Sequence, residues 1–77
     1  MLDVYELKVF LIAAETENFS EAARQLNLTQ PAVSMQIRSL EKKLGVDLFH
    51  RAGRSLALTE QGKLLMPMAR DMVNHAI

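Results

Sequence analysis

The stretch Ser20–Leu44, SEAARQLNLTQPAVSMQIRSLEKKL, decides the fold. Ser20 is a good N-cap, and Glu21 after it places a carboxylate in a first helical turn, predicting a short helix from Glu21 to Leu26. Ala22 and Ala23 favour the helix and are also small enough to let a second helix cross closely. Asn27 tolerates the left-handed conformation a tight turn needs. Thr29 then caps a longer helix, with Pro31 in its first turn, where the missing N–H costs little. Leu28 and Val33 occupy the two positions of a hydrophobic staple. Val33, Ile37, Leu40 and Leu44 follow at spacings of 4, 3 and 4, a stripe that must be buried. At ~100° per residue, Pro31, Ser34, Met35, Arg38 and Lys42 fall on the opposite face, and Glu41 lies toward the flank. That face carries two cations, a hydroxyl and an exposed methionine, and no acid. Gly45 ends the helix, after Lys42 and Lys43 near the negative end of its dipole.

The residues before this stretch read as support. Asp3 and Glu6 fit a capping box and Leu2 and Leu7 a staple, so a first helix begins near Val4 and runs to about Glu17, where Asn18 ends it. Leu7, Phe10, Leu11 and Ala14 form one apolar stripe, and Tyr5, Val9, Ile12 and Ala13 a second on roughly the opposite side. A helix apolar on two sides is covered on two sides: one by the domain core, the other by a further helix or a second subunit.

Beyond Gly45, Leu48–Arg51 and Ser55–Leu58 read as two short strands around Ala52-Gly53-Arg54. A lone hairpin is unstable, so it must lie against the helices, projecting Arg51 and Arg54 at its tip. Thr59 caps a last helix, with Glu60 in its first turn. Gly62 near its start is tolerable if another backbone approaches closely. Leu65, Ala69, Met72 and Ala76, with Met68 between, resemble a coiled-coil seam, and Pro67 should bend or loosen the helix. The chain stops at Ile77 in mid-helix without a C-cap signal, which predicts a continuation.

Seventy-seven residues make one small domain without cysteine, so neither disulfides nor thiolate metal sites assist folding, and an oligomer partner is the remaining aid. No apolar run is long enough for a membrane span and no leader-like N-terminus is present, predicting a soluble, cytoplasmic protein. Net charge is zero, but it is unevenly spread. Acids dominate up to Ala23, whereas Arg24, Arg38, Lys42, Lys43, Arg51 and Arg54 outnumber Glu41 and Asp47 between Arg24 and Leu58. Such an excess marks either a contact surface for an anion or a chance asymmetry of solvated faces.

The order helix, helix-turn-helix, hairpin, helix predicts a mainly α winged helix-turn-helix, an architecture whose second helix enters the major groove of DNA. Gln30, at the N-terminal end of that helix, can donate to and accept from adenine N7 and N6. Met35 packs on a thymine methyl or fills against a neighbouring element. Ser34 and Arg38 suit phosphates, as does Thr29 if capping does not occupy it, and Lys42 lies on the same face. Arg54 suits a neighbouring minor groove, where narrow A·T-rich segments attract guanidinium groups, unless it is simply a solvated turn cation. Catalysis and metal binding find no support: the two histidines, His50 and His75, lack ligand spacing with Asp47 or Asp71, and no glycine-rich phosphate loop occurs. No cofactor is implied. A helical protein-interaction module and another winged-helix class, such as molybdate-type regulators, are the rival readings.

Leu7, Phe10, the run from Phe19 to Gly45 and LFHRAGRSLALTEQG from Leu48 to Gly62 closely resemble the N-terminal DNA-binding domain of LysR-type transcriptional regulators. The resemblance implies a winged helix-turn-helix over residues 1–58, with the helix-turn-helix at about 19–38 and the wing at about 48–58, followed by a linker and dimerisation helix over 59–77. It implies an effector-binding domain beyond that helix, a small-molecule co-inducer, tetramers of the full-length protein, and partly palindromic promoter sites. Gln30, Pro31, Ser34 and Arg38 match recognition-helix contacts, and Arg54 matches the wing arginine of the minor groove. Met35 departs from the arginine many members carry there. The run Thr29–Gln36 looks most like regulators of carbon-fixation genes.

Overall fold

The structure, a computed structural model, describes residues 3–51 and 56–75. Four helices, α1 (Val4–Thr16), α2 (Phe19–Leu26), α3 (Gln30–Leu44) and α4 (Glu60–Asn74), surround one core, with strands β1 (Phe49–His50) and β2 (Ala57–Leu58) between α3 and α4. The strands pair antiparallel, Phe49 opposite Leu58 and His50 opposite Ala57, as a wing beside the helices. The winged helix-turn-helix expected from the sequence is therefore the fold. Leu2 of the expected staple, the turn Ala52–Ser55 with Arg54, and Ala76 of the expected seam lie outside the described residues.

The helix boundaries follow their caps. Asp3 accepts from the Tyr5 N–H at 2.8 Å, opening α1 as expected. Glu6 does not complete a capping box: it is buried, and the Lys43 Nζ of α3 donates to it at 2.9 Å. Burial on the helix stripe wins because Glu6 sits one turn before Val9 and Phe10, both fully buried. Glu17 closes α1 in the left-handed conformation at φ 55, and Asn18, not Ser20, caps α2, its Oδ1 accepting from the Glu21 N–H at 2.9 Å. The earlier cap brings Phe19 into the helix, where its ring meets Phe49 edge-on at 5.7 Å. Asn27 (φ 56) and Gly45 (φ 73) are the left-handed ends of α2 and α3, as their residue types imply.

The core has the composition the stripes demanded. Leu7, Val9, Phe10, Ala13, Val33, Ile37 and Leu40 are fully or almost fully buried, with Leu44 partly so. Helix α1 packs on α2, α3 and α4; of its second apolar stripe Val9 and Ala13 are fully buried, Ile12 is half-buried and Tyr5 is exposed. The Phe49 ring lies 5.7 Å from Phe10, tying the wing to α1. Thr59 joins the wing to α4: it accepts from the Gly62 N–H at 3.0 Å and donates to the Asp47 carbonyl at 2.6 Å. Gly62 is a close-approach glycine, since a Cβ there would lie 2.3 Å from the Leu48 carbonyl oxygen and 2.8 Å from a Leu58 methyl. The last helix runs through Pro67 to Asn74 in one piece.

Gly62→Ala forces backbone at Leu48 to move, so it should lower the unfolding free energy by about 1–3 kcal/mol. Gly45→Ala, with no heavy atom near the added methyl, should cost only the left-handed strain, about 1 kcal/mol. Urea denaturation of both variants checks the ranking.

Candidate nucleic-acid interface

Helix α3 divides cleanly. Its Thr29 hydroxyl accepts from the Ala32 N–H at 3.2 Å, which caps the helix and leaves the hydroxyl's own proton to donate. Val33, Ile37 and Leu40 point into the core at 0% exposure. On the other side Gln30, Pro31, Met35, Arg38 and Lys42 are exposed and Ser34 is half-buried. Met35 is 71% exposed and does not serve as filler within this chain. Pro31, Ser34, Met35, Arg38 and Lys42 thus share one face, as the helical spacing implied, with Gln30 exposed at the N-terminal end of the helix.

Charge on this face is available because other cations are engaged. Among the described residues, Arg24 pairs with Glu21, Lys43 with Glu6, Arg51 with Glu41, Lys63 with Glu60 and Arg70 with Glu15. Arg38 and Lys42 make no ion pair among them, and neither does Lys8 on α1. The Arg24 guanidinium and the Gln25 amide hold the Glu21 carboxyl down to about 2. The pair is solvent-exposed, so its effect on stability is small, and what it does is tie the one cation of α2 to its own helix.

Two expectations of the sequence are corrected here. Arg51 does not project from the wing: its guanidinium folds back on Glu41, with Nη2 2.9 Å from Oε1 and Nη1 donating to Oε2 at 3.1 Å. Glu41 is not a flanking residue. Only 6% exposed, it also accepts from the Leu48 N–H at 2.7 Å and the Phe49 N–H at 3.4 Å. The wing thus hangs from the last turn of the exposed-face helix by one carboxylate. The signal was present in the sequence, since Glu41 follows Ile37 by one turn and lies only ~40° round the helix from it. A carboxylate there must be partnered.

The expected seam on α4 also divides. Leu65 and Ala69 are 8% and 0% exposed, consumed by the chain's own core beside α1. Leu64, Met68 and Met72, at 72%, 57% and 36% exposure, form the outer apolar line instead. Leu64 and Met68 border a 220 Å³ groove with Val46 and Leu48.

A further contact was not anticipated. The Ser20 hydroxyl, released from capping by Asn18, donates to the Gln30 Oε1 at 3.1 Å and joins the N-terminal turns of α2 and α3.

The family described as "Bacterial regulatory helix-turn-helix protein, lysR family" matches residues 4–63. The HTH-type transcriptional regulator YxjO of Bacillus subtilis is 47% identical over 95% of this chain and 25% of its own length. HdfR of Salmonella newport is 45% identical, again over 95% of this chain and 26% of its own. The chain thus spans about a quarter of the length of these relatives. Among solved structures, Vibrio fischeri DarR in complex with DNA superposes with a TM-score of 0.93 at 41% identity, over 99% of this chain and 26% of that one. A CbnR DNA-binding domain–DNA complex gives 0.92 at 35% identity, over 97% and 86%.

Glu41→Ala leaves the Arg51 charge and two wing N–H groups without their partner and should cost about 3–5 kcal/mol. Arg51→Ala strips the same carboxylate of its cation but leaves the wing N–H bonds, and should cost less. Chemical denaturation with amide exchange at Leu48 and Phe49 separates the two. Equal losses would mean that the ion pair alone holds the wing.

Proposed function

Because the chain belongs to the lysR family of bacterial regulatory helix-turn-helix proteins, we propose that it binds double-stranded promoter DNA sequence-specifically, with α3 in the major groove. The observation that carries this reading is the exposed face of α3, where Arg38 and Lys42 stay unpaired while most described cations are held by acids. Arg38 and Lys42 suit phosphates, fixing register. Gln30, Pro31 and Met35 are then left to meet base edges, and Ser34 is placed for either. Thr29 caps α3 and keeps its O–H to donate to a phosphate. Arg54, which lies between the two wing strands in the sequence, is assigned to a flanking minor groove that is A·T-rich.

With zero net charge and so few reading residues, one copy is a weak reader. We therefore propose a homodimer on a partly palindromic site, with the outer line Leu64, Met68 and Met72 of α4 meeting its equivalent on a second copy. The inner residues Leu65 and Ala69 support that helix from within. In the longer protein the scheme extends to an effector-binding domain after α4, a small-molecule effector, tetramers and a bacterial cytoplasmic location. The narrower likeness to regulators of carbon-fixation genes rests on the run Thr29–Gln36, and the operator selected by the domain is its test.

Binding to random duplex should be weak and fall steeply with salt, by about 0.9 in log affinity per log salt for each phosphate neutralised. Arg38→Ala and Lys42→Ala should each flatten that slope by about 1. Fluorescence anisotropy across a salt series reads both, and a slope indifferent to these changes would remove α3 from the phosphate backbone. Replacing Leu64 and Met68 with lysine should give monomers in sedimentation equilibrium. A surviving dimer would move the interface elsewhere.

A further inference from the structure

We infer that Asp47 is an electrostatic brake on duplex binding, its carboxylate opposing the sugar-phosphate backbone and keeping the sequence-independent hold on DNA small; the inference rests on the reading that α3 meets DNA. Between the last turns of α3 and the chain entering β1 lies an open recess of about 440 Å³, lined by Arg38, Glu41, Lys42, Gly45 and Asp47. Arg38 and Lys42 are the unpaired cations of the open face, whereas Glu41 is engaged by Arg51 and the wing N–H groups. Asp47 is exposed, and among the described residues its carboxylate takes part in no hydrogen bond or ion pair. Its backbone, by contrast, is fixed on both sides. The Asp47 carbonyl accepts from the Thr59 hydroxyl at 2.6 Å, and the next N–H, that of Leu48, donates to Glu41 at 2.7 Å. The carboxylate is therefore kept at this edge without being neutralised there.

A recognition helix in the major groove and a wing at the next minor groove lie on either side of one sugar-phosphate backbone. The chain joining the two elements here is Gly45–Leu48, so that backbone passes over the recess. Arg38 and Lys42 draw its phosphates in, and Asp47 pushes against them. Neither cation is held by Asp47 in an ion pair, so the acid opposes the phosphate directly and does not act by withholding a cation. Repulsion of a phosphate carries no sequence information. It subtracts from binding to every duplex alike, and a lasting complex then needs base contacts and a second copy to add to it. Position matters more than net charge, because at ~0.1 M salt charges farther away than about 10 Å are largely screened.

Fluorescence anisotropy at ~0.1 M salt, on a random duplex and on one selected by this chain, tests the inference. Asp47→Asn should tighten binding to both by about two- to threefold, the repulsion of two unit charges roughly 5–7 Å apart in water, and the gain should fade as salt rises. Asp47→Glu should bind as the unchanged chain does. Asp71→Asn, which removes an equal charge near the end of α4, should change affinity little. Asp47→Asn made on a Lys42→Ala background should give the same gain, because Asp47 does not hold Lys42. An unchanged affinity in Asp47→Asn, tightening in Asp47→Glu, a gain matched by Asp71→Asn, or a gain that disappears without Lys42 overturns the inference while the DNA-binding reading stands. Failure of both the unchanged chain and Asp47→Asn to bind any duplex overturns both.

Discussion

The Glu41 carboxylate, at the end of α3, receives the Leu48 and Phe49 N–H groups and the Arg51 guanidinium while only 6% exposed. A carboxylate in that environment is costly unless every oxygen is partnered. Meeting the requirement brings the start of β1 against α3 and sets Phe49 between the rings of Phe10 and Phe19. The Leu48 carbonyl then accepts from the Thr59 N–H at 3.0 Å, and the same carbonyl is the atom Gly62 must clear. Wing, exposed-face helix and last helix are thereby held in one geometry. The arrangement matters for DNA because a recognition helix and a wing address two grooves and need a constant angle between them.

Much of this was legible in residue types and spacing. The stripe Val33, Ile37, Leu40 and Leu44 defined both the buried and the open face of α3, and Thr29, Asn27 and Gly45 marked its surroundings. Gly62 read as a close approach because a helix former would otherwise be expected there. The long-range polar partnerships were hidden. Glu6 read as a capping-box residue and Glu41 as a flanking one because helical patterning was read from apolar residues alone, although both follow the spacing of the buried stripes. Their partners, Lys43 and Arg51, lie thirty-seven and ten residues away, and no local rule connects such pairs.

The site was legible in membership more than in detail. The residues on the open face of α3 came from periodicity, but which oxygen of which side chain is already engaged did not. Ser20 and Asn18 are both good caps, and sequence alone does not choose between them. The choice depends on Phe19, which enters the helix to reach Phe49. One consequence is that the Ser20 hydroxyl is free to donate to Gln30. Similarly, α4 carries apolar residues on more than one side, and only the packing against α1 separates Leu65 and Ala69 from the outer Leu64, Met68 and Met72. Charge followed the same logic: a neutral chain presents cations selectively because its acids neutralise the ones that face elsewhere.

The central claim is that the open face of α3 meets DNA. The most direct measurement is amide chemical-shift mapping of the isotopically labelled chain during titration with a selected duplex at low salt. The account predicts the largest changes along Gln30–Lys42 and at the wing, and small ones at the buried ends of α1. Changes confined to α4, or none at saturating duplex, would contradict it.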